Sequence, residues 1–195
     1  MEKRGGRRWT TVPEMSRHVA FLRAINTTGR RTKNAHLSEA FRSVGASYAQ
    51  GFIASGNVIF DIDNEVDVEF INQIEAAFLK AYGFDIPTIV RTAAEVRSVS
   101  ENRPFTAKVI KGSAGELYVG FLKSTPKHES IEKVRAMSTA SDLLAIQGRE
   151  VYWLPTAGEF DSDISIPGIE RELGTMTVRV INTVNRIVER YLTTE

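Results

Sequence analysis

The first half of the chain alternates between apolar runs typical of strands and apolar residues at helical spacing. The predicted elements are, in order, a strand at 18–25, a helix at 37–44, a hairpin of strands at 48–53 and 58–62, a helix at 70–78 and a strand at 86–91. Ser55-Gly56-Asn57 joins the hairpin strands, because Gly and Asn tolerate the positive φ angles of a tight turn. The resulting order, βαββαβ, is that of the ferredoxin-like motif.

The second half shows the same order of patterns. After a helix at 92–101 and a loop around Pro104 and 111–112, the predicted elements are a strand at 117–122, a helix at 126–137, strands at 142–146 and 151–154, a helix at 164–173, a strand at 176–180 and a helix at 181–191. Val90-Arg91 and Val178-Arg179 match at an offset of 88 residues, with apolar residues at equivalent positions after each. This match predicts an internal repeat.

We therefore predict an α+β fold, a tandem pair of ferredoxin-like (βαββαβ) subdomains packed into one compact unit. Residues 1–14 would form a flexible basic arm, 15–103 the first half and 104–195 the second. Each half is small for a core of its own, so the two sheets or their flanking helices are expected to pack together.

Composition excludes several classes of protein. The 195 residues include 25 basic and 24 acidic side chains, a net charge of +1, so there is no global field for nucleic acid or membranes. The absence of cysteine excludes disulfides, thiol nucleophiles and cysteine-based metal sites. No apolar run approaches the roughly 20 residues of a membrane span, and we expect a cytoplasmic protein.

Neither a cofactor nor a metal site is expected. The histidines, His18, His36 and His128, share no motif, and no Gly-rich phosphate loop is present. The acidic alternation at 61–67 resembles a calcium loop but lacks its glycine and its final glutamate, so we interpret it as solvated loop with Asp67 capping the next helix.

Four short motifs carry a resemblance to a known family. They are L-R-A-I-N at 22–26, S-G-N-V-I-F at 55–60, V-R-T at 90–92 and R-V-I-N-T at 179–183. In this order they resemble the domain-of-unknown-function 1697 family of small bacterial proteins, over residues 17–190. The resemblance implies a paired ferredoxin-like α+β fold and no established activity. The chain departs from the family at 27–29, usually V-G-G, at Ala54, usually Gln, and at 180–181, usually Asn-Trp.

Polar residues that end strands or lie in turns form the candidate site. They are Arg23, Asn26, Ser55, Asn57, Arg91, Arg179 and Asn182. Guanidinium groups bind carboxylate or phosphate bidentately, so we predict a small anionic ligand held between the two halves. The alternative is a structural network in which Arg binds carbonyls at a domain junction and Asn caps turns.

Two other functions stay open. The first is a nucleic-acid or protein interaction module that uses the basic loop at 29–33 and the arm. Stacking aromatics of an RNA-recognition motif are missing from 56–60, and the open sheet face is apolar enough to be buried against the other half. The second is a metal-independent enzyme whose acid or base would be Glu39 or Glu170, although no catalytic motif supports it. The pattern gives no indication of oligomeric state.

Overall fold

A computed structural model describes residues 16–26 and 31–193. The expected arm at 1–14 and the start of the basic loop, 29–30, lie outside the described residues. The first part of the fold contains β1 (Ser16–Leu22), α1 (Asn34–Ser43), β2 (Tyr48–Phe52), β3 (Asn57–Ile62), α2 (Val68–Tyr82), β4 (Thr88–Thr92) and α3 (Ala93–Glu101). The second part contains α4 (Ala107–Gly112), β5 (Tyr118–Leu122), α5 (His128–Arg135), β6 (Asp142–Gln147), β7 (Glu150–Pro155), α6 (Ile166–Leu173), β8 (Met176–Val180) and α7 (Ile181–Ile187). A 3₁₀ turn covers Glu159–Asp161, and a π-helical turn, Val188–Leu192, continues α7.

The strands form two four-stranded sheets in which all neighbours are antiparallel. The strand orders are β2-β3-β1-β4 and β6-β7-β5-β8. In both sheets the first strand lies in the centre, with Phe21 opposite Asn57 in one and Phe121 opposite Glu150 in the other. The α+β class is therefore confirmed, with two antiparallel sheets and seven α-helices in the described part of the chain.

The two sheets face each other across a shared core. Helices α1 and α2 cover the outer face of the first sheet, and α5 and α6 cover that of the second. The inner faces meet where the rings of Phe21 and Phe121 stack with centroids 3.9 Å apart and planes 9° from parallel. Val96 of α3 and Val184 of α7 complete this core. The apolar inner faces are thus buried against each other, as their composition predicts.

Several local predictions need correction. β1 ends at Leu22 and not at residue 25, because Ala24 and Asn26 adopt positive φ angles of 57° and 54°, which end the strand. The segment expected as a loop at 104–112 contains α4, capped by the side chain of Thr106. Asp61 is not in a solvated loop, because it is buried in β3 and accepts two 2.7 Å hydrogen bonds from Arg17.

The helix boundaries follow local signals. The Asp67 carboxylate caps α2 by accepting from the Phe70 N–H at 2.8 Å, as predicted, and Gly83 ends that helix with a φ of 75°. Helix α3 begins with a capping box in which Thr92 and Glu95 bond to each other's backbone N–H groups. No helix among the described residues is long and apolar enough to cross a membrane.

Candidate functional site

Arg179, in β8, is buried at the junction of the two sheets. All five of its N–H groups donate, at 2.8–3.0 Å, to protein oxygens: those of Asn57, Leu22, Gly56, Thr177 and Val178. No carboxylate of the described residues pairs with it. Burial lowers the pKa of Arg179 to about 10, which leaves the group charged at neutral pH. Since every donor is used, Arg179 has no N–H group left for a ligand.

Arg179 belongs to the second sheet and bonds to residues of the first. Arg91, in β4 of the first sheet, makes the corresponding contacts with residues of the second. Its guanidinium reaches the second sheet and donates to Glu150 Oε1 and Leu122 O at 2.8 Å, and to Arg149 O at 3.2 Å. A fourth bond goes to Val90 O. Burial lowers the pKa of Arg91, while the hydrogen bond and charge of Glu150 act in the opposite direction. Arg91 therefore also crosses between the sheets.

The two arginines exchange roles across an approximate twofold arrangement. Arg179 binds the carbonyl of Leu22, and Arg91 binds that of Leu122. The guanidinium of Arg91 lies 5.7 Å from the ring centroid of Phe121, and that of Arg179 lies 5.9 Å from the centroid of Phe21. The junction is filled by side chains and backbone, which is the geometry of the structural alternative for these two residues.

Arg23 joins the same reciprocal pattern at the edge of the junction. Its guanidinium contacts both oxygens of the Glu170 carboxylate at 3.0 and 2.8 Å. In reverse, Lys123, directly after β5, contacts Glu75 of α2 at 2.7 Å. Glu170 also accepts from the Met176 N–H at 3.1 Å, so this candidate base is engaged in structural contacts. The other carboxylate of the enzyme hypothesis, Glu39, is exposed on α1 and lies 3.7 Å from Arg42.

The polar residues of the hairpin turn hold the turn itself. Asn57 is fully buried, and its amide donates to Phe52 O at 3.1 Å and to Ser55 Oγ at 3.0 Å, while its oxygen accepts from Arg179. Ser55 is exposed beside it, and Asn182 is exposed on the first turn of α7. The seven candidate residues therefore do not line one cavity.

Asn26 lies apart from this junction, in a surface cleft between the end of β1 and the start of α1. We call it the β1–α1 cleft. Its volume is about 580 Å³, and its lining residues are Asn26, Arg31, Thr32, Lys33, Asn34 and Ala54. The Asn26 amide donates to Ala54 O, and its oxygen accepts from the Thr32 N–H at 2.9 Å. Asn26 thus ties the two loops that border the cleft.

The electrostatics of the β1–α1 cleft favour an anion. Arg31 and Lys33 are exposed, and neither forms an ion pair with a described residue. Helix α1 begins here without a side-chain cap and without an acidic residue in its first turn. The N–H groups of Asn34 and Ala35 accordingly have no acceptor in the described part of the chain. A helix N-terminus with unsatisfied N–H groups carries partial positive charge.

The loops around this cleft hold unusual backbone conformations. Among the described residues, the non-glycine positions with positive φ are Ala24, Asn26 and Ile53, at 57°, 54° and 52°. Asn26 lines the cleft, Ala24 lies two residues before Asn26, and Ile53 adjoins the lining residue Ala54. A β-branched residue such as Ile is rarely left-handed, and such strain concentrates at functional sites.

In the sequence, Asn26 and the basic loop at 29–33 belong to separate hypotheses; the structure brings Asn26 together with Arg31 and Lys33. Asn34 and Ala54 were missed as members of this site. The sequence does contain a pattern that could have identified Asn34: a predicted strand end is followed by a basic loop and then by the start of a helix. This order places cations at a helix N-terminus. Ala54 could not be found this way, because it reaches the cleft from the turn between β2 and β3, which is distant from the basic loop in the sequence.

Comparison with solved structures supports the fold class. A conserved bacterial protein from Streptococcus pneumoniae has a similar structure, with a TM-score of 0.72 and 16% sequence identity; the match covers 91% of this chain and 100% of that chain. This similarity concerns the α+β fold alone. The chain belongs to the family described as Protein of unknown function (DUF1697), whose profile matches residues 15–152. No curated protein sequence matches the chain.

Proposed function

We propose that this protein binds a small anion, a phosphate or carboxylate group, in the β1–α1 cleft. The observation that carries the proposal is the convergence of Arg31, Lys33 and the open N-terminus of α1 on one cleft. Each of these supplies positive charge or N–H donors, and none is satisfied by another described residue. Such an arrangement stabilises an anion by charge and by directed hydrogen bonds together.

Each residue of the cleft has a distinct role in this proposal. The side chains of Arg31 and Lys33 neutralise the anion, and the N–H groups of Asn34 and Ala35 orient it. Asn26 is a positioning residue, because both ends of its amide already bond to Ala54 and Thr32. Its left-handed backbone and these two bonds keep the cleft in shape before a ligand enters.

Arg91 and Arg179 have a structural role in the same proposal. Their guanidinium groups are bonded to the opposite sheet, so they hold the two halves together and do not contact the anion. We further propose two ferredoxin-like subdomains related by duplication, at 15–103 and 104–195. The βαββαβ order, the equivalent strand orders of the two sheets and the reciprocal arginine contacts support this view.

Isothermal titration with inorganic phosphate tests the binding proposal. The double variant Arg31→Gln/Lys33→Gln is expected to lose affinity by about tenfold or more, because two charge-assisted contacts are removed. The matched control is Lys108→Gln/Lys111→Gln, which removes two exposed cations from α4. Equal binding by both double variants would refute the site, and absence of phosphate and acetate binding to the parent would refute the function.

A second candidate function is binding of the phosphate backbone of a nucleic acid through the same basic residues, Arg31 and Lys33. The exposed, unpaired state of Arg31 and Lys33 favours it, since nucleic acids are bound mainly through such contacts. A single-stranded oligonucleotide distinguishes the two candidates. Oligonucleotide binding that weakens steeply with salt, without measurable binding of inorganic phosphate, would favour the interaction module.

A further inference from the structure

The segment that follows β1 is held by residues outside its own sheet. Arg23, directly after β1, donates to both oxygens of the Glu170 carboxylate, at 3.0 and 2.8 Å, and to Met176 O at 3.1 Å. Glu170 belongs to α6 and Met176 begins β8, so both acceptors are part of the second sheet and its covering helix. The paired contacts with one carboxylate fix the orientation of the guanidinium.

The chain between Arg23 and the β1–α1 cleft is short and tightly turned. Only Ala24 and Ile25 separate Arg23 from the lining residue Asn26. Ala24 and Asn26 have positive φ angles, and Ile25 is buried against Gly56, where an added Cβ atom would clash with it. Non-glycine residues hold left-handed conformations only where the surrounding structure determines them. The anchoring of Arg23 therefore helps to set the position of Asn26.

The turn between β2 and β3, which also borders the cleft, is held from the same side. Arg179 of β8 donates to Gly56 O at 3.0 Å and to Asn57 Oδ1 at 2.8 Å, two and three residues after the lining residue Ala54. The same guanidinium donates to Leu22 O at 2.8 Å, at the end of β1. Both of these segments are therefore bonded to β8 or α6.

An equivalent ion pair lies elsewhere in the molecule. Lys123 contacts Glu75 at 2.7 Å, and Glu75 also accepts from the Thr88 N–H at the start of β4, at 2.8 Å. Glu170 accepts in the same way from the N–H at the start of β8. The two glutamates thus each bind a strand N–H and a cation that follows a central strand of the other sheet. Neither Lys123 nor Glu75 lines the β1–α1 cleft.

From these contacts we propose that Glu170 is a positioning residue of the anion site. Through Arg23 it holds the end of β1, and with it Asn26, in the geometry that receives the anion, and it does not contact the anion itself. Anion affinity then depends on the packing of α6 and β8 against the first sheet. This inference rests on the proposed function, because the affinity in question is that of the β1–α1 cleft.

Phosphate titration of Glu170→Gln and of the matched control Glu75→Gln tests the inference. Each substitution removes one negative charge and keeps an amide oxygen that can accept from the strand N–H. We expect Glu170→Gln to bind phosphate about fivefold more weakly than the parent, and Glu75→Gln to bind it within about twofold of the parent's affinity. Loss of a carboxylate by itself favours an anion, so weaker binding separates positioning from a charge effect. Both variants should lose similar thermal stability, because each loses one partly exposed ion pair.

Arg23→Lys tests the same contact without a change of charge. A lysine ammonium can meet the Glu170 carboxylate but lacks the fork that reaches both of its oxygens and Met176 O together. Its phosphate affinity should fall in the same direction as that of Glu170→Gln. In the proteins without phosphate, the side-chain amide signals of Asn26 in a correlation spectrum should shift in both of these variants and stay in place in Glu75→Gln.

The outcomes separate this inference from the proposed function. If the parent binds phosphate and Glu170→Gln binds it as tightly as Glu75→Gln does, Glu170 has no positioning role and the anion site stands. Tighter binding by Glu170→Gln would show that its charge acts on the site and its contact with Arg23 does not. If the parent binds no phosphate, the proposed function and this inference are both refuted.

Discussion

Arg91 and Arg179 illustrate how far a single residue can be interpreted from sequence. Each follows an apolar strand position, and a buried arginine must be satisfied by partners. That requirement is visible in the sequence, but the partners are not. The acceptors are mainly carbonyl oxygens, such as those of Leu22 and Leu122, and every residue type has a carbonyl. The choice between a ligand and a structural network therefore needed the fold.

Substitution of Arg179 should destabilise the protein strongly. Arg179→Met removes five hydrogen bonds. It leaves the buried side-chain oxygen of Asn57 without its donor, and it leaves Leu22 O and Gly56 O with one donor each, so we expect a loss of about 3 kcal/mol or more in unfolding free energy. Urea unfolding of the parent and of the variant measures this difference in unfolding free energy. Arg31→Gln, an exposed change, should cost less than about 0.5 kcal/mol, and similar stabilities of the two variants would contradict the structural role.

His18 should make stability depend on pH in the mildly acidic range. Burial lowers the pKa of His18 below its ordinary 6.5, against the opposing hydrogen bond to Ser16 O. The unfolded chain then takes up a proton at higher pH than the folded one. The contribution of His18 to stability is therefore fully present above about 6.5 and is lost as the pH drops toward the lowered value. His18→Phe, which keeps the ring packing on Phe60, should flatten this part of the pH profile. A slope unchanged by the substitution would rule His18 out.

At the scale of elements, apolar periodicity predicted most strands and helices but not every boundary. The structure confirms the capping of α2 by Asp67 because cap residues act on their own helix. The end of β1 was misplaced because the apolar pattern continues through Ile25 after the backbone turns at Ala24. Helix α4 was missed because six residues are too few to show helical spacing.

The close contact between Gly51 of β2 and the first residue of α1, Asn34, should affect the shape of the β1–α1 cleft. A Cβ atom at Gly51 would lie 2.7 Å from Cβ and 3.0 Å from Cα of Asn34, so Gly51→Ala must push the start of α1 away from β2. We expect both lower thermal stability and weaker phosphate binding. Gly112→Ala is the matched control, because nothing lies within 4 Å of the added atom. Phosphate affinity equal in the two variants would contradict the placement of the site at the start of α1.

At the scale of the whole molecule, the small size of each predicted half and the apolar sheet faces allowed packing between the two parts of the chain to be foreseen. They did not decide whether the sheets or their flanking helices would meet. The position of the candidate site was harder to predict. Residues that look alike in sequence separate in the fold, since Arg91 and Arg179 are buried at the junction while Asn26 lies at the surface. The strand pairing and the turn between β2 and β3 determine which of these candidate residues are accessible to a ligand.

The shared core and the crossing arginines should make the two halves unfold as one unit. Trp153 packs beside the core of the second sheet and reports it by fluorescence, provided that Trp9 is replaced by Phe. Far-UV circular dichroism reports both halves. The two signals should give the same denaturant midpoint. A fluorescence transition separated from the dichroism transition would show that the halves are stabilised independently.

The most direct test of the account is a phosphate titration followed by amide and guanidinium correlation spectra of isotope-labelled protein. We expect the backbone signals of Asn34 and Ala35 to shift with saturation, while the Nε–H signals of Arg91 and Arg179 stay unchanged because their donors are already bonded within the protein. Shifts of the Arg91 and Arg179 signals, with Asn34 and Ala35 unaffected, would place the anion at the junction and contradict the account.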